Sequence, residues 1–330
     1  MGKDNRNPVI SAPAGAHAAP PDTAPIALWL RVLGRLPLWM LYAITALLAW
    51  LLRYVLRYRV AVARANLARC FPECTRRQIA RLVRRHYRHL GEVMAEFIRT
   101  AAMPAAELCA RVKMVHLERV QAETHAGRPV LLLGAHHCNW EWSLHGVALQ
   151  VGVPMEAAYK PLHSAAADAQ LRRLRSRFGA RLIAAKRMLR EIARRRDEVR
   201  AVALIADQVP ASSDGRLWLS FLGRETAFYP GPGEIARSTG YATFFAAMSR
   251  IGRGHYQIEF QPVCAAGERL DPAEFTARYA QLLEALIRRQ PADWTWTHRR
   301  WKLSPPAAGG LHDAPAAAVA AVATRGPRGR

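Results

Sequence analysis

The chain is organised around residues 129–141, which read PVLLLGAHHCNWE. The uninterrupted apolar run predicts a strand buried on both faces of a sheet. Gly134 ends the run, and polar residues follow at once. Because ligands of open α/β sheets bind just beyond the carboxyl ends of the strands, His136 and Glu141 stand where chemistry is expected.

His136 suits general-base work near neutral pH, and a carboxylate beside it can fix its tautomer and stabilise the imidazolium. Glu141 stands five positions later, whereas neighbours on one helical face lie three or four apart. We therefore expect His136 in a turn and Glu141 in the first turn of the next helix. Three alternatives stay open: His137 as the base, a covalent route through the thiol of Cys138, and loop histidines beside a surface glutamate.

The composition favours an anionic partner. The 330 residues carry a formal net charge of +23, which suits nucleic acid, anionic lipid, a phosphorylated substrate or an acidic protein. Five scattered cysteines favour free thiols in a reducing compartment over a disulfide framework. Cys70 and Cys74 have no second Cys/His pair at zinc-finger spacing, so no metal site is predicted.

A charge-free apolar segment covers residues 36–52, at the short end of the about 17–25 residues that a spanning helix needs. Trp39 and Trp50 lie near its ends, as interface aromatics do. A buried core helix is the alternative. Arginines are denser downstream, which favours a main domain on the cytoplasmic face. We predict four regions: a disordered arm (1–25), a membrane anchor helix (26–58), a catalytic domain (59–303) and a disordered tail (304–330).

Two further predicted strands, residues 154–159 and 199–205, also lead into polar residues. The first leads into Lys160, and the second into Asp207 and Gln208. Asp207 and Gln208 are again a polar pair just past a strand, where ligands of α/β sheets bind. Alternating strands and helical segments place the chain in the α/β class.

Several motifs resemble those of the late acyltransferases of lipid A biosynthesis, the lauroyl and myristoyl transferases. The GAHHCNWE segment resembles their H-x4-E/D motif, and their broader relatives, the glycerolipid acyltransferases, share H-x4-D. Residues 64–73, RANLARCFPE, resemble the family's N-L-x-x-C-F-P-E segment. Residues 291–302, PADWTWTHRRWK, are similar to its closing P-x-x-W-x-W-x-H-R-R-W-K. The likeness extends from about residue 33 to 302.

Shorter motifs also match, with two departures. The sequence Tyr159-Lys160-Pro161 resembles the family's Y-R-P with lysine for arginine, which keeps the charge and loses the bidentate fork. Arg175 and Arg177 fit its R-x-R-x-G. The sequence after Asp207 is Gln-Val-Pro, whereas many members continue D-Q-D, which leaves the identity of the acceptor open.

The resemblance implies a mostly parallel central sheet flanked by helices, as in glycerolipid acyltransferases, with an N-terminal membrane helix. It implies transfer of a fatty acyl group from acyl carrier protein to a hydroxyl of a lipid A precursor at the inner membrane, without metal or cofactor. The implied roles are His136 as base, Glu141 as its orienting carboxylate, Arg175 as oxyanion donor and Asp207 as a carboxylate that organises the site. The residues expected to bind substrate are Tyr159, Lys160, Arg177 and Gln208.

Three other functions are weighed against this one. The same chemistry could act on another membrane lipid, such as a lysophospholipid, an aminolipid or a phosphatidylinositol mannoside. The charge alone would also suit a nucleic-acid-binding protein, but no nucleic-acid motif is present and the arginines accompany an apolar segment. The last is a catalytically silent membrane scaffold.

Overall fold

A computed structural model describes residues 25–210 and 215–305. The predicted arm and tail lie outside these residues, except for Pro25, Ser304 and Pro305. The helices are α1 Leu28–Arg35, α2 Leu38–Trp50, α3 Val60–Cys70, α4 Arg76–Arg99, α5 Ala105–Arg111, α6 Leu117–His125, α7 Trp140–Gln150, α8 Ala165–Ser176, α9 Ala185–Arg194, α10 Gly231–Thr239 and α11 Pro272–Arg289. A π-helical turn, Leu51–Val55, continues α2, and a 3-10 turn, Pro291–Asp293, follows α11.

The strands are β1 Val112–Val115, β2 Val130–Gly134, β3 Met155–Tyr159, β4 Arg181–Ala184, β5 Ala201–Ile205, β6 Leu217–Phe221, β7 Arg224–Phe228, β8 Ala242–Gly252 and β9 His255–Cys264. Seven of them form one sheet in the order β1-β9-β8-β2-β5-β3-β4, and β6 and β7 form a separate hairpin. Strands β8, β2, β5, β3 and β4 run parallel, whereas β9 and β1 run the opposite way at one edge. The predicted α/β class and mostly parallel sheet are confirmed.

Strand β2 lies inside the sheet and is buried on both faces, as predicted. Leu131 and Leu133 pack into one core layer together with α3, α4 and α11. Val130 and Leu132 pack into the opposite layer with α5, α6 and α7. This burial explains why the strand is a continuous apolar run rather than an alternating one. The sheet therefore holds the end of β2 rigidly.

The starts of α4, α7 and α11 are fixed by side chains that accept from free backbone N–H groups. Thr75 and Gln78 form a capping box at the start of α4. The carboxylate of Asp271 accepts from the backbone N–H of Ala273 at the start of α11. Asn139 caps α7 by accepting from the backbone N–H of Trp142 at 2.9 Å. That last cap fixes the direction in which the chain leaves the histidine motif.

The predicted anchor is not one continuous helix, because Pro37 separates α1 from α2. The helix Leu38–Val55 is, among the described residues, the one that is long and apolar enough to cross a membrane by length and composition, and 22% of it is buried. One face packs against α4 so closely that a Cβ at Gly91 would lie 2.9 Å from the carbonyl oxygen of Thr45. The opposite face exposes Trp39, Ile44, Leu47, Leu48 and Trp50.

Candidate active site

Two neighbouring strands bring His136 and Asp207 together. Strands β2 and β5 are parallel, with Gly134 opposite Ile205, and each chemical residue comes two positions after its strand ends. The ring Nδ1 of His136 lies 2.7 Å from Oδ1 of Asp207, and the backbone N–H of His136 donates to Oδ2 at 3.0 Å. A carboxylate bound to Nδ1 fixes the tautomer that leaves Nε2 free to accept a proton.

The charges of this pair stabilise each other in a buried place. Burial disfavours the imidazolium, but the Asp207 carboxylate outweighs that effect and raises the pKa of His136. Burial alone would likewise raise the pKa of Asp207, yet contact with His136 and a hydrogen bond from Trp294 lower it to about 2. Asp207 is therefore ionised at neutral pH, and His136 is a stronger base than an ordinary histidine.

Glu141 and Arg175 form a second charged pair at the same edge. Glu141 lies in the first turn of α7 and Arg175 in the last turn of α8. Nε and Nη2 of Arg175 donate to the two carboxylate oxygens of Glu141 at 2.8 and 2.5 Å, a bidentate arrangement. Both charges are near enough to influence the pKa of His136.

This geometry corrects the predicted partner of His136. Glu141 was the predicted orienting carboxylate, whereas in the structure Asp207 contacts Nδ1 of His136 and Glu141 pairs with Arg175. The physical reason is the sheet order. Because β5 lies directly beside β2, Asp207 reaches Nδ1, while the first helical turn carries Glu141 towards α8. The position of Glu141 in the first turn of α7 is as predicted.

The turn between β2 and α7 is held by the C-terminal part of the chain. Cys138 has a φ of 52°, a left-handed conformation that costs a non-glycine residue about 1–2 kcal/mol. Its backbone N–H donates to the carbonyl of Asp293 at 2.9 Å. Its Sγ lies 3.6 Å from a carboxylate oxygen of Asp293, and burial raises the pKa of this thiol well above its ordinary value. A buried neutral thiol is a poor nucleophile, which disfavours the covalent route.

His137 is a structural residue in this turn. Its two ring nitrogens lie 3.1 and 3.2 Å from the backbone carbonyls of Met248 and Gln290. Its ring is buried, and burial lowers its pKa. The neutral ring can donate to only one of these carbonyls, but both nitrogens face main-chain oxygens, so His137 has no nitrogen free for a substrate hydroxyl. The geometry therefore favours His136 as the base.

Comparison with known proteins identifies the family of this chain. The sequence model of the bacterial lipid A biosynthesis acyltransferases matches residues 24–303, most of the chain. The protein belongs to this family. It is therefore an O-acyltransferase, as the motifs implied.

Individual relatives are distant but cover nearly the same length. The lipid A biosynthesis palmitoleoyltransferase of Escherichia coli (strain K12) is 25% identical over 279 residues, which are 84% of this chain and 89% of that protein. The lipid A biosynthesis acyltransferase of Shigella flexneri matches with the same values. The lipid A biosynthesis lauroyltransferase of the same Escherichia coli strain is 25% identical over 287 residues, 84% of this chain and 90% of that protein.

The residues predicted to bind substrate divide into two groups. Gln208 lies beside His136, with its Nε2 3.3 Å from Nε2 of that ring. Tyr159 ends β3, and Lys160 follows it at the same sheet edge, beyond β5. Arg177 instead donates to the carbonyls of Thr100 and Met103 at 2.8 and 2.6 Å. These contacts tie the end of α8 to the segment after α4 and indicate a structural role for Arg177.

Three residues that support the site were not predicted from the sequence. The indole N–H of Trp294 donates to Asp207 at 2.8 Å, and the hydroxyl of Thr295 donates to the carbonyl of His136 at 2.7 Å. The hydroxyl of Tyr279 donates to the carbonyl of Gly134 at 2.8 Å. Trp294 and Thr295 belong to the closing family motif, so the sequence marks them as family residues. It does not show which groups they contact.

The pair of His136 and Asp207 predicts a specific pH dependence. Neutral His136 is the active form, so kcat/KM should rise with pH, with a midpoint above the ordinary histidine value of about 6.5. Asp207→Asn removes the charge that raises the pKa and leaves burial, which lowers it. The midpoint should therefore move to lower pH, while kcat falls by roughly 10²- to 10⁴-fold because the imidazolium loses its stabilising partner.

Measuring acyl transfer between pH 5 and 9 with both proteins tests this, and Glu141→Gln is the matched control. An unchanged midpoint in Asp207→Asn, or a larger downward shift in Glu141→Gln, would show that Asp207 is not the partner that matters.

Proposed function

We propose that the protein transfers a fatty acyl chain from acyl carrier protein to a hydroxyl of a lipid A precursor, by direct attack and on the cytoplasmic face of the inner membrane. The observation that carries the proposal is the contact of His136 with Asp207 in a member of this family. The names of the relatives support lipid A as the acceptor. Another membrane lipid as acceptor is the second candidate, because the Gln-Val-Pro sequence after Asp207 leaves the identity of the acceptor open.

In the proposed reaction, Nε2 of His136 removes the proton from the acceptor hydroxyl as the oxygen attacks the thioester carbonyl. Asp207 stabilises the imidazolium that forms. Collapse of the tetrahedral intermediate breaks the carbon–sulfur bond, and the departing sulfur takes the proton from His136. Gln208, which contacts Nε2, must give way to the hydroxyl or help to orient it.

Arg175 is proposed to stabilise the oxyanion. The bidentate contact with Glu141 uses two of its five N–H groups and fixes the plane of the guanidinium, which leaves three N–H groups for a ligand. In this scheme Glu141 positions Arg175 rather than His136. The pairing of the two residues supports the role, because a long arginine side chain held at two points is preorganised for a developing charge.

Arg175→Ala should lower kcat by roughly 100- to 1000-fold at saturating donor, the loss typical of one oxyanion donor. Arg175→Lys keeps the charge but loses the bidentate contact, so its kcat should lie between those of the wild type and Arg175→Ala. Steady-state kinetics that separate kcat from the KM for the donor make the test. A rise in donor KM with kcat unchanged would assign Arg175 to donor binding instead.

The acceptor and the donor need a direct test in cells and with purified protein. Cells that lack the protein should produce lipid A with one acyl chain fewer by mass spectrometry. The missing chain should return with wild-type protein and with Cys138→Ala, and stay missing with His136→Ala. Purified protein should use acyl carrier protein thioesters in preference to coenzyme A thioesters. Unchanged lipid A together with a change in another lipid would support the second candidate, and an acyl adduct on Cys138 would establish the covalent route.

We also propose that α2 holds the protein in the membrane through its exposed face. Ile44 and Leu47 are 46% and 59% exposed although they belong to a charge-free helix, which is unfavourable in water. On the opposite face, the hydroxyl of Tyr42 donates to Glu96 of α4, and the backbone of Thr45 packs against Gly91 of α4. An arginine-rich recess beside this helix pair, with Arg85, Arg88 and Arg253 in its wall, suits acidic headgroups or an acidic carrier protein.

Ile44→Lys combined with Leu47→Lys should release the protein into the soluble fraction on carbonate extraction, because both substitutions place charge on the apolar face. Ile44→Ala combined with Leu47→Ala, which keeps the face uncharged, is the matched control and should stay largely in the pellet. Full retention of the double lysine variant in the membrane pellet would show that another segment anchors the protein.

A further inference from the structure

A buried glutamate joins the membrane-side helix to the catalytic turn. Glu96 lies in α4 with no exposed surface. Its Oε1 accepts from the hydroxyl of Tyr42, in α2, at 2.6 Å. Its Oε2 accepts from Nδ2 of Asn139 at 2.5 Å and from the hydroxyl of Tyr256, in β9, at 2.8 Å. Three separate elements thus converge on one carboxylate.

These contacts depend on one another because every side chain bound to the Glu96 carboxylate donates a hydrogen bond to it. A buried carboxylate is costly unless hydrogen bonds satisfy its oxygens, and each buried donor is costly without an acceptor. Burial raises the pKa of Glu96, and the three donors oppose that shift. Neither Glu96 nor Asn139 can move alone without leaving a buried polar group unpaired. The carboxylate therefore acts as a fixed point for the chain around it.

The fixed point lies directly behind the reacting residues. Asn139 stands between His136 and Glu141, and its Oδ1 caps the helix whose first turn carries Glu141. The backbone carbonyl of Glu96 also accepts from the indole N–H of Trp142 at 3.1 Å. Two successive contacts from the same residue of α4 thus set where the turn ends and α7 begins.

The turn needs such a support. It contains the left-handed Cys138, a conformation that persists only when its surroundings impose it. It also carries the base on one side and the partner of Arg175 on the other. Since a displacement of about 1 Å at a reacting group can cost roughly 100-fold in rate, the direction of Asn139 matters for chemistry as well as for folding.

We propose that Glu96 is a positioning residue for acyl transfer, which acts through Asn139 on His136 and Glu141. The proposal rests on the acyl-transfer activity of the family. Glu96 touches neither substrate nor His136, so its effect must appear in kcat through the shape of the turn.

Asn139→Ser is the first test because it should fold. Serine is as good a helix cap as asparagine, but its hydroxyl is too short to reach Glu96. We expect kcat to fall by about 10-fold or more with the KM values little changed. Tyr42→Phe is the matched control, since it also removes one donor from Glu96 but leaves the contact with Asn139. Its kcat should stay within about threefold of wild type.

The second test exchanges the hydrogen-bond donor at position 139 with the acceptor at position 96. Asn139→Asp alone keeps the cap but sets one carboxylate against another, and kcat should fall by at least about 10-fold. Adding Glu96→Gln supplies an amide that donates to the carboxylate introduced at position 139. The amide oxygen accepts from one tyrosine, while the other tyrosine hydroxyl can accept. The double variant should recover kcat to within about fivefold of wild type.

The outcomes separate positioning from simple stability. Thermal unfolding of the same full-length, detergent-solubilised proteins shows whether each variant is folded. Recovery of kcat in the double variant supports the proposal even if Asn139→Asp is unstable alone. The proposal is overturned if Asn139→Ser has wild-type kcat, if it and Tyr42→Phe fall equally, or if the double variant is no better than Asn139→Asp. Absence of acyl transfer by the wild-type protein would instead refute the proposed function.

Discussion

The structure depends most on the hydrogen-bonded contact between His136 and Asp207. It joins the ends of two adjacent parallel strands, and it places a negative charge where no water can reach it. Such a charge is tolerable only if donors surround it, and the backbone of His136 and the indole of Trp294 supply them. The C-terminal segment must therefore fold back over the sheet edge before the site exists. Its contacts with the turn at Cys138 follow from that requirement.

The site is organised in two charged pairs with separate supports. His136 and Asp207 depend on the order of strands β2 and β5, which the core layers hold. Glu141 and Arg175 depend on the ends of α7 and α8. The first pair is suited to moving a proton, and the second to receiving negative charge. Because Asn139 stands between His136 and Glu141, its anchoring to Glu96 influences both pairs at once.

The sequence predicts strand β2 and the place of the site, but it does not predict the contact between His136 and Asp207. A continuous apolar run followed by Gly134 was sufficient to predict β2 and the place of the site, because burial on both faces leaves a clear pattern. The partner of His136 could not be found in this way. Spacing along the chain favours Glu141, whereas the contact with Asp207 depends on which strand lies beside β2, a long-range property. Trp294 and Thr295 were recognised as motif letters, yet their hydrogen bonds depend on a chain reversal that no local pattern encodes.

The central claim is that Asp207 holds His136 with Nε2 unprotonated and available to a hydroxyl. Nitrogen NMR of histidine-labelled protein in detergent tests it most directly, with the His136 signals assigned by their loss in His136→Gln. At a pH above its pKa, His136 should show a protonated Nδ1 and an unprotonated Nε2, and Asp207→Asn should lower its pKa. A proton on Nε2 in neutral His136, or a pKa that does not respond to Asp207→Asn, would contradict the account.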